Sequence, residues 1–307
     1  MNRILKHTVT ISFLPLLLIA GCKENAQIKT ENQTAVKTNQ NQGNSAILPP
    51  LKHAFSCLPK DAAFIAAHRG TSRNAGLAEN SLIGQKTLIE KGFYFSEIDV
   101  AGLKDGTLIL MHDGVLDRTT VKTGPVASAT WADLDGTLLK DTDGELTSDI
   151  VPKFSDILEG AKGQIYLEID FKSSARFEDV IKEIRKQGMA DQVILIAYSD
   201  GQARKLAKLA PEMMLSLTVK NAEHLKELNA MGIETAQMAA WTGRERASRD
   251  LLALLSDKNV PALAMRNPQE QTKAISDAHL IVSDYALDSQ PIIGDIDMNA
   301  FKACLNK

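Results

Sequence analysis

Apolar residues follow two different periods along residues 62–293. In some stretches they recur about every 3.6 positions, which is the spacing of one helical face, as at Phe177, Val180 and Ile184. Between these stretches lie short runs rich in apolar and β-branched residues, which predict strands. Eight strands are predicted, at residues 63–68, 93–100, 165–171, 193–198, 214–219, 236–241, 262–265 and 280–283.

The regular alternation of strand and helix decides the predicted fold class. Strands that are separated by helices form a parallel sheet, so the chain is predicted to be an α/β protein. Eight parallel strands over about 250 residues are the repeat and the size of a (β/α)₈ TIM barrel. An open, doubly wound sheet is the alternative that this pattern leaves.

One further apolar run, at residues 107–112, does not fit a ninth parallel strand. Only Lys104, Asp105 and Gly106 separate it from the strand before it. A parallel pair needs a connection of about a dozen residues, whereas an antiparallel pair needs only a tight turn. We therefore predict a β-hairpin excursion after strand 2 of the barrel.

The first 22 residues have the features of a secretory signal that ends at a cysteine. Arg3 and Lys6 precede an apolar stretch at residues 9–19, which is too short to span a bilayer. The four residues before Cys22, Leu-Ile-Ala-Gly, resemble the lipobox of bacterial lipoproteins. The resemblance implies a signal peptide over residues 1–21, a lipid on Cys22, and a secreted protein anchored to a membrane of the cell envelope, on its periplasmic face or at the cell surface. A plain secretory signal is the alternative.

The segment after Cys22 differs in composition from the rest of the chain. Up to about Ser45 it is rich in Asn, Gln, Lys and Thr and has no aromatic residue. Such a segment cannot bury enough apolar surface to offset the entropy lost on ordering. We predict a disordered tether over residues 22–50 and one folded domain over residues 51–307.

Two cysteines remain if Cys22 is lipidated, and they lie near the two ends of the folded domain. Cys57 precedes the first predicted strand, and Cys304 lies in the last predicted helix. These two places are neighbours in a closed barrel, and secreted proteins commonly carry disulfides. We predict a disulfide between Cys57 and Cys304, with two free buried thiols as the alternative.

Composition and charge limit the classes of partner. Hydrophobic residues make up 44% of the chain and charged residues 24%, which is an ordinary globular balance. The formal net charge is -3, so the chain lacks the basic excess of a protein that binds a phosphate backbone. No nucleic-acid partner is expected, and the oligomeric state is left open.

Carboxylates are concentrated where the predicted strands end. Glu97 and Asp99 are two residues apart on the second strand. The same spacing separates Glu168, Asp170 and Lys172 on the third, so each set lies on one face of its strand. Buried carboxylates that converge at the catalytic rim of a barrel need a metal ion or basic partners. Oxygen ligands favour Ca²⁺ or Mg²⁺ over zinc, and salt bridges without any metal are the alternative.

Two histidines are predicted at the same rim. His68 ends the first strand and His112 ends the hairpin, each beside a charged residue. Two imidazoles that enter one rim from different strands fit a general acid and a general base. Arg69 presents a planar guanidinium that matches a phosphate group. With a metal ion, these groups fit a site that cleaves a phosphodiester.

A series of short motifs follows a fixed order along the chain. Over about residues 62–293 the series resembles the motifs of the glycerophosphodiester phosphodiesterase family. Each motif alone is weak evidence, but their ordered occurrence is specific. The motifs are His68-Arg69-Gly70, Glu79-Asn80-Ser81, Glu97-Ile98-Asp99-Val100, Lys104-Asp105-Gly106, His112-Asp113, Leu116-Asp117-Arg118-Thr119-Thr120, Val151-Pro152, Glu168-Ile169-Asp170 and Ile281-Val282-Ser283-Asp284-Tyr285.

The resemblance implies a TIM-barrel hydrolase that uses a divalent ion, Ca²⁺ or Mg²⁺. Its substrates would be small glycerophosphodiesters, which it would split into glycerol phosphate and an alcohol, with water or a neighbouring substrate hydroxyl as the nucleophile. Carried over by motif, the metal ligands would be Glu97, Asp99 and Glu168, the acid and base would be His68 and His112, and the phosphate would be held by Arg69.

The chain departs from the family's pattern at two places. Relatives commonly have Glu-x-Lys on the third strand, whereas this chain has Asp170 there and a lysine two residues later, at Lys172. Either Lys172 still reaches the phosphate or Asp170 adds a fourth carboxylate to the metal. The family's Trp-Thr pair on the seventh strand is replaced by Met265-Arg266, while Trp241 ends the sixth. For Trp241 both contact with the substrate and packing at the barrel rim remain open.

Other assignments remain possible around the same site. Related barrels act on lysophospholipids or sphingomyelin, and a surface lipoprotein could bind a phosphorylated ligand without catalysis. Retention of both histidines and three acids favours an enzyme. Beside the site, Asn80 is predicted to cap the first helix, with Glu79 near the positive helix end, although functional roles for both stay open. Asp117 and Arg118 are predicted to form a structural pair.

Overall fold

The computed structural model describes residues 47–73, 75–266 and 277–307. The predicted signal peptide at residues 1–21, the predicted lipidation site Cys22 and the predicted tether as far as residue 46 lie outside the described residues. The described residues from 47 onward belong to one compact unit. No helix among them is both long and apolar enough to cross a bilayer.

The barrel wall is made of parallel strands. The strands of the chain are β1 (Ala62–Ala67), β2 (Phe95–Gly102), β3 (Leu108–Leu110), β4 (Leu138–Lys140), β5 (Leu146–Ile150), β6 (Tyr166–Phe171), β7 (Val193–Ile196), β8 (Met214–Thr218), β9 (Met238–Trp241), β10 (Ala262–Met265), β11 (Leu280–Ser283) and β12 (Ile292–Gly294). Within the described residues, eight of them pair in parallel in the order β1, β2, β6, β7, β8, β9, β10, β11. Because β11 pairs with β1 again, the sheet closes. The predicted TIM barrel is confirmed, and the open sheet is excluded.

Helices cover the outside of the barrel and its lower end. They are α1 (Leu51–Cys57), α2 (Leu82–Glu90), α3 (Trp131–Leu134), α4 (Phe154–Ala161), α5 (Phe177–Gln187), α6 (Asp200–Leu209), α7 (Ala222–Ala230), α8 (Arg249–Asp257) and α9 (Met298–Leu305). Side-chain caps fix several starts: Ser199 accepts from the backbone of α6 and Asn221 from that of α7. Helix α5 ends at Gly188, whose φ of 69° is the left-handed conformation that glycine favours.

Four short strands of the described residues depart from the eight-fold repeat. Strand β3 runs antiparallel to β2, with Leu110 opposite Val100, which confirms the predicted hairpin. Strand β12 is antiparallel to the start of β1. Strands β4 and β5 form a separate two-stranded sheet that was not predicted. Its second strand is largely exposed and polar, so it lacks the apolar run on which strand prediction depends.

An aromatic cluster fills the lower end of the barrel. Phe64, Phe95 and Tyr166 point inward from β1, β2 and β6 and are fully buried. Phe55 from α1 and Phe301 from α9 pack against Phe64 at ring-centroid distances of 5.9 and 5.8 Å. Since aromatic side chains occupy this end, the open part of the barrel lies at the carboxyl ends of the strands.

Contacts at the closed end tie the two termini of the domain together. Cys57 of α1 and Cys304 of α9 are joined by a disulfide, with Cα atoms 5.7 Å apart. Leu48 and Pro49, which fall within the predicted tether, already contact the barrel: the Leu48 amide donates to Gly163, and the Tyr166 hydroxyl donates to the Pro49 carbonyl. The packed domain therefore begins a few residues before position 51.

Candidate active site

Four buried carboxylates line the upper half of the barrel on two neighbouring strands. The register of β2 against β6 places Glu97 beside Glu168 and Asp99 beside Asp170. The same faces carry Phe95 and Tyr166 two residues earlier, so the inward side chains change from aromatic to acidic as the strands rise. None of the four acids is more than 5% exposed. The period-2 spacing of the sequence thus places them together, as predicted.

The closest group of acidic oxygens differs from the predicted ligand set at one position. Oxygens of Glu97, Asp99 and Asp170 all lie within 4.8 Å of one another. Glu168 lines the same pocket but is not in that group, although it lies opposite Glu97 in the strand register. Asp170, the possible fourth carboxylate ligand, therefore belongs to this closest group. We call all four carboxylates, Glu97, Asp99, Glu168 and Asp170, the acidic cluster.

The acidic cluster has fewer partners than its charge requires. Both carboxylate oxygens of Glu168 and Oδ1 of Asp170 are buried, and none of them has a hydrogen bond of ordinary length and angle from a described residue, although the Ser216 side chain lies near Glu168. Burial raises the pKa of Glu168 to about 7, with Asp170 adding to the rise and the nearby Ser216 offsetting part of it. Burial and the charge of Asp99 hold the pKa of Glu97 well above its usual value. Unpaired buried oxygens of this kind fit a hard divalent cation such as Ca²⁺ or Mg²⁺.

Among the described residues, Lys172 and Arg69 bring positive charge to these acids, and Nε of Arg69 lies 4.0 Å from Oδ2 of Asp99. The Lys172 ammonium is 2.6 Å from Oδ1 of Asp99 and 2.6 Å from Oδ2 of Asp170. Tyr198 donates its hydroxyl to the same Asp170 oxygen at 2.8 Å. Burial lowers the pKa of Lys172, but the two carboxylates outweigh it and raise the pKa, so the ammonium stays charged. The ion pairs that the salt-bridge alternative requires are thus present, since both Lys172 and Arg69 lie within ion-pair distance of Asp99.

A strained turn after β1 carries the first predicted catalytic residues. Arg69 has a φ of 56°, a region that costs energy for a residue with a side chain. This conformation points the Arg69 amide at Glu97, to which it donates at 2.8 Å. Gly70 follows with a φ of 63°, and a Cβ there would lie 2.4 Å from the Gln85 side chain. Only glycine fits that position.

Arg69 and His112 belong to a closed ring of charged side chains, which we call the arginine ring. Arg69 donates to Glu79 and, through its other terminal nitrogen, contacts Nε2 of His112 at 2.8 Å. Nδ1 of His112 lies 2.8 Å from Asp113. Arg118 closes the ring with bidentate contacts to both Asp113 and Glu79.

The arginine ring corrects the predicted pairing of Asp117 with Arg118. Asp117 instead accepts from the amide of Gly124. Hydrogen bonds from Arg118 hold the pKa of Asp113 far below its usual range. Burial raises the pKa of Glu79, yet the bonds and charges of Arg118 and Arg69 outweigh burial and lower it. Each carboxylate of the arginine ring is therefore ionised and paired.

The second histidine contacts carboxylates through both ring nitrogens. His68 Nδ1 is 2.6 Å from Asp284, which follows β11, and Nε2 is 3.8 Å from Glu97. The hydrogen bond with His68 is the main reason that the pKa of Asp284 lies below its usual value. His68 thus lies between the acidic cluster and the last strand of the barrel.

Asn80 connects the turn after β1 to the acidic cluster rather than capping α2. Its side chain donates to Oδ2 of Asp99 at 2.7 Å and accepts from the Asp99 amide at 2.9 Å. Ser81 caps α2 instead, accepting from the amide of Gly84. The predicted N-cap is therefore wrong by one residue, because Asn80, with a φ of 56°, is turned back toward the barrel.

A pocket of about 360 Å³ opens above these groups. The two histidines, the four acids and Lys172 form part of its lining. Trp241, which is partly exposed, and Arg244 from the loop after β9 lie along the same pocket, so Trp241 is placed where a bound molecule would contact it. Arg69 is held by Glu79 and His112 beside the pocket. The remaining lining residues are Ile196, Ala197, Tyr198, Ser216, Thr218, Met265 and Val282.

Comparison with known proteins agrees with this site. Residues 68–292 match the glycerophosphoryl diester phosphodiesterase family, a span that runs from His68 to the last strand. The chain belongs to this family. Its motifs are those that contribute His68, Glu97, Asp99, His112 and Glu168 to the pocket.

Two curated family members show the extent of sequence similarity. The chain is 27% identical over 222 residues to a glycerophosphodiester phosphodiesterase of Bacillus altitudinis, covering 68% of this chain and 88% of that one. It is 29% identical over 160 residues to a glycerophosphodiester phosphodiesterase of Caldanaerobacter subterraneus subsp. tengcongensis. That match covers 50% of this chain and 65% of the relative, so the chain spans less than two thirds of that relative's length.

Solved structures of glycerophosphodiester phosphodiesterases share the fold. A family member from Parabacteroides distasonis superimposes with a TM-score of 0.69 at 22% identity, covering 84% of this chain and 93% of its own. A phosphodiesterase of Oleispira antarctica, solved with its product sn-glycerol-3-phosphate, gives a TM-score of 0.58 at 18% identity, covering 77% and 99%.

Several residues of this site were assigned no role from sequence. Asp113 and Asp284 each orient a histidine, and Tyr198 binds Asp170. Asp113 and Asp284 both fall inside the quoted motifs, so a signal for them existed. Arg118 also falls inside a quoted motif, but its actual partners, Glu79 and Asp113, were not predicted. Tyr198 had no signal, because it reaches the site from a loop whose path is set only in the folded chain.

Proposed function

We propose that the protein is a divalent-metal-dependent phosphodiesterase that hydrolyses glycerophosphodiesters to glycerol phosphate and an alcohol. The observation that carries the proposal is one pocket holding four buried carboxylates, three of whose oxygens are unpaired, beside two carboxylate-bound histidines. Family membership and the activity named for the curated relatives support this substrate class. The product bound to the Oleispira antarctica phosphodiesterase supports the same chemistry.

The metal ligands that we propose are Glu97, Asp99 and Asp170, with Glu168 beside Glu97. Their donor atoms are all carboxylate oxygens, which suits a hard cation. When bound, a divalent cation supplies positive charge against the phosphate oxygens and stabilises the charge that develops in the transition state. Trp241 and Arg244 line the side of the pocket where the leaving alcohol would lie.

We assign the general base to His112. A guanidinium has only donor hydrogens, so Nε2 of His112 accepts from Arg69 and carries no proton. Its proton is then on Nδ1, which donates to Asp113. Asp113 therefore fixes the tautomer and the orientation of the ring. Nε2 takes a proton from the nucleophile once Arg69 has turned from it to the phosphate, because the nitrogen has only one lone pair.

We assign the general acid to His68. Both of its nitrogens face carboxylate oxygens, at 2.6 Å for Asp284 and 3.8 Å for Glu97, and carboxylates accept hydrogen bonds from both N–H groups of an imidazolium. Because Asp284 holds Nδ1, the proton on Nε2 is the one available to the departing alkoxide. Proton transfer to the alkoxide prevents the leaving alcohol from departing as a strong base.

A metal-dependence assay over a panel of head groups tests the proposed function. We expect the full chain to release glycerol phosphate from glycerophosphocholine or a related diester, to lose activity with a chelator, and to regain it with Ca²⁺ or Mg²⁺. Glu97→Ala should abolish both the activity and the response to metal, whereas Glu90→Gln, on the exposed face of α2, should change neither. Unchanged turnover in excess chelator would refute the metal-dependent mechanism.

We also propose that the domain is anchored to a membrane of the cell envelope through acyl chains on Cys22. Support comes from the charged start, the apolar stretch and the small residues before Cys22. Cell fractionation of the native chain and of Cys22→Ser tests this. The native protein should sediment with membranes and the variant should not; equal solubility of both would exclude the anchor.

A further inference from the structure

Lys172 is the feature that the proposed reaction leaves unexplained. Its ammonium bridges Asp99 and Asp170 at 2.6 Å each, inside the carboxylate group that we assign to the metal. Its side chain is 18% exposed, so these contacts are shielded from solvent. The proposed ligand group therefore already contains a cation that belongs to the chain.

The position of Lys172 follows from how β6 ends. Its amide donates to the carbonyl of Val100, which continues the pairing of β6 with β2 by one residue. The backbone is thereby fixed beside Asp99, while the four-carbon side chain is flexible. The ammonium can leave the carboxylates without any change in the strand.

The ammonium and a divalent cation need the same oxygens. Divalent cations bind carboxylate oxygens at about 2.0 to 2.6 Å. The two Lys172 contacts, at 2.6 Å each, lie at the upper end of that range. Two cations cannot share Asp99 and Asp170 at such distances, because their mutual repulsion is strong in a site of low dielectric. Oδ1 of Asp170 and both oxygens of Glu168 remain free to receive the divalent ion.

We propose that Lys172 is an internal counter-ion that competes with the divalent cation for Asp99 and Asp170, and that binding of the cation turns its ammonium toward the substrate's phosphate. The inference rests on the proposed function for the presence of the cation. Lys172 already lines the pocket together with both histidines, so a short movement of its side chain is sufficient. By linkage, cation and anionic product then strengthen each other's binding.

Calorimetric titration of the full chain with Ca²⁺ or Mg²⁺, without substrate, tests the competition. Lys172→Gln removes the competitor, so the cation should bind about tenfold more tightly or better, as expected if the competing state dominates by that factor. Lys172→Arg keeps the charge and should bind the cation about as the native protein does. Lys182→Gln removes an exposed lysine of α5 and controls for the change in net charge.

A second measurement needs no variant that might fail to fold. The ¹⁵N resonance of the Lys172 ammonium in the native protein should shift during the same titration, with a midpoint equal to the calorimetric one. Addition of sn-glycerol-3-phosphate should then shift it again. A resonance that does not respond to a bound cation would overturn the proposal.

The outcomes separate this inference from the proposed function. If the native chain and Lys172→Gln bind the cation equally tightly, the competition is wrong and the metal-dependent function is unaffected. If neither binds Ca²⁺ or Mg²⁺, the metal part of the proposed function fails and the competition fails with it. Tighter binding by Lys172→Gln, with Lys172→Arg unchanged, supports the proposal.

Discussion

The arginine ring and the acidic cluster differ in how their negative charges are balanced. In the arginine ring, Arg69 and Arg118 contact Glu79, and Arg118 also contacts Asp113, so both acids have lowered pKa values. In the acidic cluster, Lys172 is the ammonium in direct contact, and the pKa values of Glu97 and Glu168 are raised. The carboxylates of the arginine ring are therefore paired with positive charge, whereas the acidic cluster has more negative than positive charge.

This difference separates carboxylates that already have a partner in the folded chain from carboxylates that need a bound cation. A paired carboxylate stabilises the folded chain and fixes its neighbours, as Asp113 fixes His112. A buried carboxylate without a partner costs stability unless a cation arrives. The contrast therefore predicts that changes in the ring and changes in the cluster affect stability with opposite signs.

The largest expected effect is on catalysis, where both sides must act together. His112→Ala removes the proposed base from the ring and His68→Ala the proposed acid, so each should lower kcat/KM by about 10²- to 10⁴-fold. Steady-state hydrolysis of glycerophosphocholine measures this. His53→Asn, in α1 at the closed end of the barrel, serves as the control and should retain activity. Full activity in either pocket variant would refute its assigned role.

The acidic cluster should make the metal-free protein less stable as pH rises. The pKa of Glu168 is about 7 in the folded state against an ordinary 4.5, so the folded state holds this proton more tightly. The contribution of Glu168 to stability is full below about pH 4.5 and is lost as the pH rises through about 7, by about 3 kcal/mol. Urea unfolding in chelator measures the loss. Glu168→Gln should flatten the profile, and a profile equal to the native one would contradict the unpaired state of this acid.

Glu79→Gln should lower the free energy of unfolding at neutral pH, and the loss should not depend on metal. Glu79 has a lowered pKa, so it stabilises the fold above its ordinary pKa of 4.5, and this stabilisation is lost as the pH falls. The substitution leaves two arginines without their shared carboxylate and should cost about 1 to 3 kcal/mol at neutral pH. Urea unfolding with and without Ca²⁺ measures it. A stabilised variant would show that the ring is not electrostatically complete.

The smallest effect is expected from Arg118→Lys. Lysine keeps the charge but cannot form two bidentate contacts at once, and the site is partly exposed, so the loss should be about 1 kcal/mol or less. Thermal unfolding measures it. Activity should fall modestly through a less well-oriented His112, with kcat changing more than KM. A loss as large as that of His112→Ala would mean that Arg118 contacts the substrate.

The strand faces and the hairpin after β2 could be predicted from sequence, because each depends on residues that are close together in the chain. Alternation at two residues placed Glu97 with Asp99 and Glu168 with Asp170 on inward faces, and the short connection at Lys104 to Gly106 required an antiparallel hairpin. These patterns depend on chain geometry within a few residues. The exposed hairpin of β4 and β5 was missed, because polar, solvent-facing strands carry little hydrophobic signal.

The amino-acid pattern was sufficient to predict the barrel, with an open sheet as the alternative, together with the faces of the strands and the residue types at the rim. Which charges meet depends on the folded chain: Asp284 contacts His68 across 216 residues, Arg118 contacts Glu79 across 39, and Lys172 contacts Asp99 instead of the open pocket. The reason is physical. Hydrophobic periodicity is written along each element, whereas an ion pair depends on distances of a few ångströms between elements, which exist only after the barrel has closed.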